Sequence, residues 1–103
     1  MTTTWDEKAR QRVEAKFMRW RRLVEAMPAR QAEALLPNAI SLLSGVPSSS
    51  PSLKALHGLG LVDAVRRSRG CYYWRSRTLV EVFDELRKLQ AEAEAKIMRK
   101  VRR

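Results

Sequence analysis

Apolar residues in the first quarter of the chain recur at steps of three and four. Ala9, Val13, Phe17, Trp20, Val24 and Met27 therefore share one face of a helix. Lys8, Arg10, Arg12, Lys16, Arg19, Arg21 and Arg22 occupy the other faces. Thr4 with Glu7 three residues on has the form of a capping box, and Pro28 closes the segment, which predicts a helix over 4–27. Pro28 also suits the first position of a second helix, Ala29 to Leu36, with Ala32, Leu35 and Leu36 turned to the core. Pro37 restarts the chain into a third, Asn38 to Ser44, whose apolar residues are Ile40, Leu42 and Leu43. Gly45 then supplies the left-handed residue that ends a helix.

The run Val46 to Ser52 reads as a turn followed by a helix start, with Ser50 as N-cap and Pro51 at the first helical position. The helix it opens, Pro51 to Leu59, points Leu53, Leu56 and Leu59 inward. Ser49, Ser50, Ser52, Lys54, Ala55 and His57 are left outside. Leu61 to Val65 alternates as a strand does and runs into Arg66 and Arg67. After a Ser68-Arg69-Gly70 turn, Cys71 to Arg75 returns as a second strand rich in aromatics. Thr78 and Glu81 form another capping box. The helix behind them reaches about Val101, roughly 35 Å at 1.5 Å per residue. Leu79, Val82, Leu86, Leu89, Ala93, Ile97 and Val101 make its apolar stripe.

Helix, turn, helix and basic hairpin, carried by LKALHGLGLVDAVRRSRGCYYW within Asn38 to Arg75, resemble the winged helix-turn-helix domain. The pattern is shared by the ArsR-, MarR- and PadR-like regulators and does not single one out. The resemblance implies a mainly α fold with a small β-hairpin wing, flanked by long N- and C-terminal helices. It makes 51–59 the recognition helix and implies a double-stranded DNA partner. Serine hydroxyls and free N–H groups at a helix start favour phosphate oxygens, so Ser48, Ser49, Ser50 and Ser52 are expected at DNA together with Lys54 and His57. Arg66, Arg67 and Arg69 cluster at the wing tip, where a narrow minor groove or flanking phosphates attract arginine.

The charge balance agrees with that partner. Twenty-one Lys and Arg against eleven Asp and Glu leave +10, a potential that draws polyanions. Arginine predominates, which suits phosphate forks. The basic amphipathic first helix could lie along a membrane or a phosphate backbone, although Glu14 and Glu25 interrupt its basic face. At 103 residues and 45% apolar content the chain reads as one domain, 1–103, divided into 4–27, a core with wing at 29–77, and 78–101. No apolar run approaches the ~20 residues of a membrane span and no signal-peptide core opens the chain, so a cytoplasmic protein is expected.

Catalytic signatures are missing from the sequence. It has no Gly-rich phosphate loop and no Ser/His/Asp set, and its one cysteine, Cys71, and one histidine, His57, give no metal-ligand spacing. The expectation is a non-enzyme with no cofactor, no metal and no small-molecule ligand. The stripe beyond Leu86 exceeds what a small core can cover, and an uncovered stripe predicts a homodimer. Its interface would use Phe17, Trp20 and Val24 of the first helix with Leu86, Leu89, Ala93 and Ile97 of the last. The whole is a DNA-binding homodimer, a transcriptional regulator or a plasmid- or phage-type DNA-site binder. Two other classes fit the same charge. One is a winged-helix interaction or assembly module that docks an acidic partner, and the other is an RNA binder stacking bases on Tyr72, Tyr73 and Trp74.

Overall fold

The computed structural model describes the backbone of residues 4–101 and the side chains of 7–99. Within them lie four α-helices and one two-stranded antiparallel sheet, so the protein is mainly helical. The order is α1 (Thr4–Ala26), α2 (Pro37–Ser44), α3 (Ser50–Gly58), β1 (Asp63–Arg67), β2 (Gly70–Trp74) and α4 (Leu79–Val101). None of the described helices is long and apolar enough to cross a membrane.

The α1 and α4 helices run antiparallel and cover each other. Arg10 near the start of α1 reaches Met98 Sδ near the end of α4 at 3.1 Å, and Arg21 donates to Gln90 Oε1 at 2.9 Å. The two apolar stripes meet the core around and beyond the Arg21–Gln90 tie. Leu23, Val24, Val82 and Leu86 are fully buried, and Phe17 and Trp20 are 3% and 5% exposed. This corrects the interface expected from the sequence. Phe17, Trp20, Val24 and Leu86 are core residues of the single chain and have no surface to offer a second copy. Leu89 and Ala93 pack half-buried against the same core, and Ile97 is partly covered. Over the described residues the two stripes largely cover each other, so the uncovered face expected from the sequence is not found there.

A second correction concerns 29–36. Only a single 3-10 turn forms, Gln31–Glu33, and Ala32 is exposed. Pro37 holds Leu36 extended (φ −69°, ψ 155°), which keeps a helix from running through to α2. Leu35 instead joins the edge of β2, its N–H donating to Tyr73 O at 3.0 Å and its carbonyl accepting from Tyr73 N at 2.8 Å. Backbone groups that a helix would have paired internally are thereby paired with the hairpin.

Gly45 ends α2 as expected, at φ 75° with its N–H on Ser41 O. Of the three large aliphatic residues of α2 only Ile40 is buried; Leu42 and Leu43 are 86% and 66% exposed. Leu53 and Leu56 of α3 are fully buried, but Leu59 lies past the helix end and is half exposed. The chain leaves α3 through Gly60 at φ 76°. There Gly60 N–H bonds His57 O and Leu61 N–H bonds Leu56 O, the paired bonds of a Schellman motif. The first expected capping box involves the Thr4 side chain, which lies outside the described residues. The N-cap half of the second forms, with Thr78 Oγ1 accepting from Glu81 N at 3.2 Å, while Glu81 Oε1 accepts from the Thr78 hydroxyl and not from its backbone N–H.

Candidate nucleic-acid interface

The turn between α2 and α3 is built around one serine. Ser49 is 1% exposed; its hydroxyl donates to Pro37 O at 3.0 Å and shares a hydrogen bond with Ser41 Oγ at 2.6 Å. It ties the start of α3 to the first residue and the middle of α2. Ser49 is therefore a strut and not a DNA-facing residue, contrary to the expectation from sequence. It also directly precedes α3, with no side-chain capping bond, which places Ser50 inside the helix as its first residue. Next to it Ser48 takes a left-handed φ of 51°, and both Ser48 and Ser50 are exposed.

The hairpin sets the other wall. The register pairs Arg66 with Cys71 and Ala64 with Tyr73, so these four share one sheet face. Val65, Arg67 and Tyr72 take the opposite face by alternation. Arg66 and the turn residue Arg69 consequently line a groove of about 420 Å³ together with Lys54 of α3 and Asn38 and Ser50 at two helix starts. Cys71 and Tyr73 also line it. Through Asn38 and Ser50 the groove continues into a hollow bordered by Ser48.

Charge in this groove is of one sign. No acidic side chain lines either hollow. The ion pairs among the described residues, Arg77–Glu81, Arg87–Asp84 and Lys88–Glu85, all lie on α4 or at its start. Asp63, the one acid in the hairpin, is occupied by Ser76, whose N–H and hydroxyl both donate to its Oδ2. Burial, with Cys71 beside it, pushes the Tyr73 phenol above its ordinary value.

The remaining expected residues are distributed unevenly. Ser52 is half-buried, and His57 is exposed near the far end of α3, away from the groove lining. Arg67 is held on the other face of the hairpin, donating to Gln31 O at 3.3 Å with its guanidinium 5.0 Å from the Tyr72 ring centroid. Asn38 is the polar lining residue of α2 that sequence reasoning misses; its place directly after Pro37 at a helix start is the available signal. Among the described residues no group of three or more His, Cys, Asp or Glu could hold a metal ion. The arrangement can pair with anions through one ammonium, two guanidinium forks and the hydroxyl and amide groups between them. No family model matches the chain, and no curated protein or solved structure matches it either, leaving geometry and charge to carry the function.

Proposed function

We propose that this is a winged helix-turn-helix protein that binds double-stranded DNA, with α3 as recognition helix and the β1–β2 hairpin as wing. The observation that carries the reading is the convergence of Lys54, Arg66 and Arg69 on one acid-free groove, although they come from two elements separated in sequence. Cations placed this way displace condensed counterions from a phosphate backbone, and the released ions drive binding. Base reading is thin, since Lys54, Ser50 and Asn38 are the polar groups α2 and α3 bring to the groove. Phosphate contacts position a protein and carry little sequence information. A small regulator or DNA-site binder whose preference rests on groove shape as much as on base edges fits this armament.

The test is fluorescence anisotropy on a random-sequence duplex across a salt series. The triple variant Lys54→Ala/Arg66→Ala/Arg69→Ala should flatten the slope of log K against log[salt] by roughly 2.7, about 0.9 for each phosphate no longer neutralised. An unchanged slope would remove the groove as a DNA-binding surface. One observation favours a protein partner instead: Leu42 and Leu43 stand exposed on α2, and Leu42 borders the serine-lined hollow. Binding to an acidic protein that survives the triple substitution but fails in Leu42→Ser/Leu43→Ser would establish that reading.

A further inference from the structure

A second set of cations lies on α1, outside the groove. Lys8, Arg12, Arg19 and Arg22 are all exposed or half-exposed along this helix. At about 100° per residue they fall within roughly 40° of one line along the helix. Ala15 stands on the same line, and Glu14 and Glu25 are turned about 100–120° away. The stripe is roughly 21 Å long at 1.5 Å per residue. None of its four members takes part in an ion pair among the described residues, whereas Asp84 and Glu85 of α4 lie 3.6 and 3.7 Å from Arg87 and Lys88. Arg87 and Lys88 of α4 are matched locally, and the four cations of the α1 stripe are not. No α1 residue lines the groove between α3 and the hairpin.

A basic helix of this kind has two natural partners, an anionic membrane and a nucleic-acid backbone. The membrane mode needs the apolar face of the helix sunk into the headgroup boundary. In α1 that face is the protein core: Phe17, Trp20, Leu23 and Val24 are 0–5% exposed. What remains is recognition by charge alone. A duplex presents one phosphate per 3.4 Å of axis on each strand, so the stripe spans about six. Three of its four cations are arginines, whose planar fork fits phosphate oxygens.

We propose that the outer face of α1 is a second phosphate-backbone contact, separate from the groove, so that one chain engages duplex DNA at two places. The proposal rests on the DNA-binding reading for its partner and on α1 alone for its site. Five proteins decide it on a random-sequence duplex over a salt series: the wild type, a groove variant (Lys54→Gln/Arg66→Gln/Arg69→Gln), a stripe variant (Arg12→Gln/Arg19→Gln/Arg22→Gln), the two sets combined, and a control (Arg87→Gln/Lys88→Gln/Arg99→Gln). The stripe and control variants remove the same charge from helix surfaces, and circular dichroism checks that each keeps its helix content.

The stripe variant should flatten the salt slope by roughly 2.7 and the control by much less. The groove variant should keep a salt-sensitive binding that vanishes when the stripe substitutions are added. Equal losses in stripe and control variants would mean bulk charge and overturn the proposal. So would an unaffected stripe variant beside a disabled groove variant, an outcome that leaves the groove reading standing. The reverse pattern would retire the groove and keep the stripe. Stripe-dependent sedimentation with anionic phospholipid vesicles, without a stripe effect on duplex binding, would assign the surface to a membrane and overturn the proposal.

Discussion

Ser49 and Arg67 show how a side chain's bonds decide its role. Ser49 sits in a serine run that looks solvent-facing, yet it is buried because Pro37 O and Ser41 Oγ are both within reach of its hydroxyl. Removing it takes the Ser41 hydroxyl's partner away as well as losing its own bonds. Ser49→Ala should therefore destabilise the fold by about 1–3 kcal/mol, read from the urea midpoint, and not merely weaken a surface interaction. Arg67 is the converse case, a wing-tip arginine that its own chain holds through Gln31 O and the Tyr72 ring. Arg66→Ala and Arg69→Ala should each flatten the DNA salt slope by about 0.9, and Arg67→Ala by clearly less. Equal flattening by all three would show that Arg67 leaves Tyr72 to reach phosphate.

At the scale of elements, the helix ends fix the groove because they set where α3 begins and where the hairpin starts. Gly45 ends α2 in the left-handed region with nothing within 4 Å of an added Cβ. Gly45→Ala thus costs conformational strain alone, about 1–2 kcal/mol. Gly58 is the last residue of α3, with no left-handed φ and equally open surroundings. Gly58→Ala should stabilise the protein by up to about 1 kcal/mol through helix propensity and a stiffer unfolded chain. Thermal melts of the two variants should move in opposite directions, although the chemical change is the same. Destabilisation by both would mean that the exit from α3 tolerates no change in its last turn.

For the whole molecule, the decisive packing is α1 against α4. Leu86 is fully buried in the core these helices share, so Leu86→Ala should cost about 2–5 kcal/mol by transfer and cavity terms. The loss should not depend on protein concentration, because the partner helix belongs to the same chain. An unfolding midpoint that rises with concentration would instead show a second copy contributing to the core. The pairing also leaves the basic outer face of α1 as solvent-exposed surface, which is why charge and not apolar area is what this helix offers a partner.

Local signals determined much of this architecture. Periods of three and four placed α1 and α4, and alternation with a Ser68-Arg69-Gly70 turn placed the hairpin. Gly45 and Pro51 placed the turn before α3. These features act within a few residues, where sterics and hydrogen bonding leave a small menu. Other outcomes needed partners distant in sequence. Whether 29–36 became a helix depended on Tyr73 offering Leu35 a strand edge. Whether Ser49 faced solvent depended on Pro37 and Ser41, and which arginines reached the groove depended on the β1–β2 register. Whether the long apolar stripes called for a second copy depended on α1 lying along α4. Periodicity reveals that a face is apolar and must be covered, but the covering element is chosen by three-dimensional packing, which only the tertiary structure decides.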